Sequence, residues 1–183
     1  MQIAVYPGSF NPLHIGHLAI LQYLEEHFDQ VLLVVSPQNP LKGFDTSGSA
    51  RKRLEDAAEA LARHPELHAE CCDIEFSLGE PSYTYKTMAA LRAKYPEDVL
   101  TLVIGADNLN NFDRWRNYKD ILLNFPLLVY PRKGYDADAA KAKLAEAEPA
   151  SRIGLADMPM VDISSTTIRE MLQRGEDASL FMI

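Results

Sequence analysis

The chain has 183 residues, 26 acidic against 18 basic side chains, a formal net charge of −8 and 47% hydrophobic residues. That length suits one domain able to bury roughly 70% of its unfolded surface, so a core forms without cross-links. The acidic balance argues against nonspecific binding to a nucleic acid backbone, which needs a basic face, and no apolar run approaches the roughly eighteen residues of a membrane span.

In chain order, Ile3 to Tyr6 reads as a buried strand, Gly8 and Pro12 punctuate a loop, and the spacing of Leu18, Leu21 and Leu24 predicts a helix to His27. His14 and His17 fall where strand hands over to helix. Three residues apart, both imidazoles project from one side of the first turn. That end also carries free backbone N–H groups and the positive pole of the helix dipole, which suit a phosphate.

Further strands are expected at Val31 to Val35, His68 to Asp73, Val99 to Ile104 and Leu127 to Tyr130, with helices at Ala50 to Arg63, Thr84 to Lys94 and Tyr118 to Leu123. Gln38 to Ser49, with Gly43 and Gly48, reads as a mobile loop, and Ala137 to Glu148 as an alanine-rich helix solvated on the surface. Ile163-Ser164-Ser165-Thr166-Thr167-Ile168-Arg169 opens with capping hydroxyls and continues into Ile168, Met171 and Leu172, which share the buried side of a short helix. Hydroxyls and N–H groups at such a start can hold a polyphosphate, and Arg169, one turn in, can add a bidentate clamp.

Alternating strands and helices imply an α/β fold, a Rossmann-like doubly wound parallel sheet covered on both faces, in a single domain over 1–183. Ligands of such sheets bind beyond the carboxyl ends of the strands, and the Gly8, Pro37, Gly105 and Pro131 segments each follow a strand directly. Cys71 and Cys72 are adjacent, so a mutual disulfide would be strained, and neither has spaced partners for a zinc site. Reduced thiols and a cytoplasmic location are expected, because the chain enters a strand with no leader-like stretch before it.

Taken singly, these features have ordinary meanings: a capping histidine, a hydroxyl-rich helix start with a surface arginine, a core Trp115. Taken together, the His-x-x-His loop after the first strand and the Ser-Ser-Thr-x-x-Arg helix start resemble the nucleotidyltransferase superfamily. Within it the chain resembles the nicotinate-nucleotide adenylyltransferase family, with further matches at Ser82-Tyr83-Thr84, Ile104-Gly105-Ala106-Asp107, Phe112 with Trp115, and Pro131-Arg132. The likeness runs in order from Ile3 to about Gly175. His14-Ile15-Gly16-His17 also resembles the ATP site of class I aminoacyl-tRNA synthetases, but this chain is too short for that role and lacks their lysine-rich second signature.

The resemblance implies transfer of the adenylyl group of ATP, carried with Mg²⁺, to nicotinate mononucleotide. By its motifs, His17, His14 and Arg169 would be catalytic. Gly8, Ser9, Phe10, Gly105, Asp107, Ile163, Ser164, Ser165 and Thr166 would complete the ATP site, while Thr84, Trp115, Arg116, Arg132 and Lys42 would bind the acceptor. No protein-held metal is expected, and the sequence leaves homo-oligomerisation open. Alternatives are phosphopantetheine adenylyltransferase, which shares a start like Tyr6-Pro7-Gly8-Ser9-Phe10, and a noncatalytic nucleotide-binding module of the same fold.

Overall fold

The computed structural model describes residues 1–37, 49–160 and 162–183. Its elements follow in the order β1 (Gln2–Gly8), α1 (Ile15–His27), β2 (Gln30–Val35), α2 (Ala50–Ala62), β3 (Glu70–Cys72), α3 (Thr84–Lys94), β4 (Val99–Gly105), α4 (Ala106–Asn110), α5 (Tyr118–Asn124), β5 (Leu127–Tyr130), α6 (Ala137–Ala147), β6 (Ile153–Leu155) and α7 (Ser165–Gln173). The six strands form one sheet in the order β3-β2-β1-β4-β5-β6. Every neighbouring pair is parallel.

The period of two along a strand divides the core between the sheet's faces. Ile3 and Val5 of β1 point to the face covered by α3, α4, α5 and α6, where Met88, Leu91, Phe112, Ile121 and Leu144 are buried with them. Ala4 and Tyr6 point to the opposite face, against Leu21 and Leu24 of α1 and Ala57 and Ala60 of α2. Burial on both faces explains why β1, β2 and β4 read as nearly continuous apolar runs rather than alternating ones.

The sheet reverses direction between β1 and β4, and this reversal positions the site. Their pairing runs from Gln2↔Val99 to Val5↔Leu102 and then stops. Beyond it, β1 stays paired with β2 as far as Gly8↔Val35, and β4 with β5 as far as Gly105↔Tyr130. The last three residues of each strand therefore part from one another, opening a crevice at the switch point where such folds take their ligands.

Two sequence expectations need correction, and one strand was missed. The helix α6 is not solvated all round: Ala140 and Leu144, four apart, are buried and pack toward α4. In α7 only Ile168 is buried, while Leu172 is 51% exposed, so the helix contributes a single anchor rather than an apolar stripe. The sixth strand, β6, escaped the sequence reading because three residues with a central glycine carry no periodicity. The expected loop from Gln38 lies outside the described residues up to Gly48.

Candidate active site

Helix α1 begins with a reciprocal cap. His14 is its N-cap, with extended backbone, and its Nδ1 accepts the Gly16 N–H at 3.1 Å. The Nδ1 of His17 in turn accepts the His14 N–H at 3.2 Å. The two rings stack with centroids 3.7 Å apart. Because a backbone N–H can only donate, each Nδ1 presents a lone pair, and the proton of each neutral imidazole sits on Nε2. Burial, reinforced by the Arg132 guanidinium, pushes His14 down to about 4. His14 is thus a neutral N–H donor, and its buried Nε2 has no partner among the described residues.

Gly16 makes this arrangement possible. A Cβ there would lie 2.9 Å from the His14 ring and 3.0 Å from Ile163 Cγ2, so any larger residue would push the ring from its cap. The preceding loop is equally tight. Phe10 adopts a positive φ of 46° and buries its ring edge-on to Tyr6 at 5.3 Å and His17 at 5.1 Å. A non-glycine residue in that region stores strain that the surrounding packing must hold.

The opposite wall comes from the start of α7. Ser164 caps it by accepting the Thr167 N–H, Ser165 Oγ donates to the Pro12 carbonyl at 3.1 Å, and Arg169 donates to the Asn11 carbonyl at 2.7 Å. Two helix N-termini, far apart in sequence, are thereby tied across the 11–12 turn. At the end of β5, Arg132 Nε lies 3.6 Å from Asp107 Oδ1. Gly105, with no Cβ, leaves room for that pair beside Tyr130.

These groups line one cavity of about 180 Å³, which brings together Gly8, Ser9, Phe10, His14, His17, Asp107, Arg132, Ile163, Ser164, Ser165, Thr166 and Arg169. Gly105, expected with them, is not among the residues lining this cavity; it is the N-cap of α4, next to Asp107. A second cavity, of about 270 Å³, brings together Thr84, Trp115 and Arg116 with Ser36, Glu75, Ser82, Tyr83, Asn108 and Arg114. The two share Pro7, Gly8 and Asn108, so they meet where β1 and β4 part. Arg132, expected with the acceptor residues, lines the first cavity and not the second. Lys42 lies outside the described residues.

Sequence reasoning missed several residues here. Asn108 follows Asp107 directly and could have been found from the helix start after β4. Ser36 and Glu75 carry no local signal, and neither does Arg53, buried on α2, which donates to the carbonyls of Ser9 (2.7 Å), Ser36 (2.9 Å) and Pro37 (2.8 Å). Through it the loops after β1 and β2 are fastened to one guanidinium.

A parallel sheet with its crevice at the switch point, two phosphate-ready helix starts and a His-x-x-His cap define a nucleotidyltransferase, and residues 5–171 match the cytidylyltransferase-like family. The chain is 41% identical, over 97% of its length and 89% of the relative's, to a protein of Flavobacterium psychrophilum named a probable nicotinate-nucleotide adenylyltransferase. A Bacteroides fragilis protein of the same name is 39% identical over 97% of this chain and 85% of its own. The chain belongs to the nicotinate-nucleotide adenylyltransferase family. The fold agrees with that of the Plasmodium falciparum nicotinic acid mononucleotide adenylyltransferase complexed with NaAD, at a TM-score of 0.81 and 18% identity over 97% of this chain and 87% of the other.

Proposed function

We propose that the protein transfers the adenylyl group of ATP to nicotinate mononucleotide, releasing pyrophosphate and forming nicotinate adenine dinucleotide for NAD biosynthesis. The observation that carries the reading is the junction of the two cavities at Gly8 and Asn108. One holds phosphate donors, the other an indole and two arginines, and a bond made between their occupants would form at that junction.

The acceptor phosphate, with a second pKa near 6, is largely dianionic at neutral pH and attacks the α-phosphorus without a general base. The protein's task is to align two mutually repelling phosphates and stabilise charge on the bridging and departing oxygens. His17 Nε2–H would donate to the α-phosphate in the transition state, and His14 Nε2–H would orient the phosphates. Arg169, Ser165 and Thr166 would hold the leaving pyrophosphate at the start of α7, with Ile163 and Ser164 flanking it. Gly8, Ser9 and Phe10 would let the backbone approach the nucleotide closely, and Gly105 with Asp107 would meet the adenosine ribose.

Mg²⁺ would enter on ATP. Among the described residues no group of three or more His, Cys, Asp or Glu could hold an ion, and Mg²⁺ readily keeps phosphate and water as its ligands. Bound with ATP, it would supply positive charge that offsets the charge of the phosphates.

In the second cavity Trp115 would stack on the pyridine ring, while backbone N–H groups near Thr84 and Arg116 would receive the ring carboxylate. Such amides suit a carboxylate and disfavour a carboxamide, whose NH₂ would meet donors. Lys42 and Arg132 would serve the phosphates. We read the chain as a single nucleotidyltransferase domain and place it in the cytoplasm; separately, no described helix is long and apolar enough to cross a membrane.

The test is pyrophosphate release from Mg-ATP with nicotinate mononucleotide, nicotinamide mononucleotide and phosphopantetheine as parallel acceptors. Preference for the first is expected. Turnover of phosphopantetheine alone, or ATP binding with no turnover, would replace the assignment.

A further inference from the structure

The second cavity holds a carboxylate that the reaction as described leaves unused. Glu75 lies on the single 3-10 turn Ile74–Ser77 between β3 and α3 and is 3% exposed. Its Oε1 accepts the Thr87 hydroxyl at 2.7 Å, which fixes the side chain against α3. Oε2 is buried and has no partner among the described residues, although Glu75 lines the cavity. Ser82 Oγ and Trp115 Nε1, in the same lining, are buried without partners as well.

An anchored carboxylate with a buried, unmatched oxygen is costly unless a ligand supplies a donor or opposite charge. The cavity's own cations, Arg114 and Arg116, are exposed, with Arg116 over the Tyr83 ring at 5.2 Å. The lining therefore has negative charge deep and positive charge at the rim, around an aromatic wall. A ligand matching that pattern carries a cationic flat ring with anionic substituents directed outward.

We propose that Glu75 is a specificity-determining residue that selects acceptors with a positively charged ring nitrogen. The proposal rests on the function read above: the N-ribosylated pyridine ring of nicotinate mononucleotide is such a cation. Stacked on Trp115, it would place its positive ring edge toward Glu75 while its carboxylate and phosphate face donors.

The experiment compares nicotinate mononucleotide with its 1,4-dihydropyridine form, whose ring nitrogen is uncharged, in the wild type and in Glu75→Gln. With Mg-ATP saturating, kcat/KM is read for each acceptor. The wild type should favour the charged ring by about tenfold or more, the scale of one partly buried charge contact. Glu75→Gln should bring the ratio of the two acceptors close to one, with KM for ATP unchanged.

A carboxylate that only accepted ribose hydroxyls would weaken both acceptors together, and an unchanged ratio in the variant would overturn the proposal. So would a wild type indifferent to ring charge, a result that needs no variant. If Glu75→Gln does not fold, Glu75→Asp, which withdraws the charge by one methylene, should lower the preference partway, and an undiminished preference would again overturn it. Absence of pyrophosphate release from the wild type with either acceptor would overturn the assigned function and this proposal together, an outcome distinct from turnover at an unchanged ratio.

Discussion

His14 and His17 cap each other: the Nδ1 of His17 accepts the amide of His14, while the Nδ1 of His14 accepts the amide of Gly16. One arrangement caps the start of the helix, fixes both tautomers and leaves both Nε2–H groups outside the cap. The features that make α1 start at Ile15 are therefore the same ones that prepare the donors.

Removing one of these donors separates chemistry from binding. His17→Ala should lower kcat by about a hundredfold to a thousandfold, the usual loss for one preorganised donor to developing charge. ATP binding should change little, since Arg169, Arg132 and both helix starts remain. The lost cap should cost about 1 kcal/mol, so turnover is to be compared with the folded fraction measured by denaturation. Turnover near that of the wild type would remove His17 from the mechanism.

The neutral state of His14 gives stability a pH dependence of definite sign. Its folded value, about 4, lies below the ordinary 6.5, so between these values the unfolded chain binds more protons and stability falls as pH falls. The contribution is fully present above pH 6.5 and is lost progressively toward pH 4, up to about 3 kcal/mol. Urea denaturation at pH 7 and pH 4.5, in the wild type and in His14→Asn, isolates it, because asparagine can still cap a helix but does not titrate. Equal acid sensitivity in both proteins would refute the assignment.

Gly16→Ala tests the tight fit of the cap. The added methyl group would meet the His14 ring at 2.9 Å, and overpacking of this kind costs about 1–3 kcal/mol. Displacing the ring should also raise KM for ATP. Calorimetry with ATP and steady-state kinetics on the variant read the two effects separately.

Arg53→Met should destabilise the fold by about 3 kcal/mol, because it leaves one buried and two half-buried carbonyls of two loops without their charged donor. Arg53→Lys should recover only part of that, since a single ammonium cannot reproduce a planar fork aimed at three oxygens. Denaturant midpoints give the comparison.

What the sequence revealed depended on the length and regularity of each signal. Helix α3 was legible to both ends, Thr84 and Lys94, because eleven residues hold a helical pattern between a turn and a proline-bounded loop. The three residues of β6 and the five of α4 were too short to show a period. The burial of α6 was hidden because alanines at a packing position look the same as alanines in water. His14, His17 and Arg169 stood out because strings of rare residue types mark them. Glu75 and Ser36 did not, because separate crossovers bring them to one cavity. The neutrality of His14 was illegible for another reason: it comes from burial, which no string of residues displays.

Where β1 parts from β4, the two cavities adjoin, with Gly8 and Asn108 lining both. Two mononucleotides entering separately each enjoy only half of that surface, whereas the dinucleotide they become inherits both halves through one covalent link. Such a bivalent product dissociates only when both grips loosen at once.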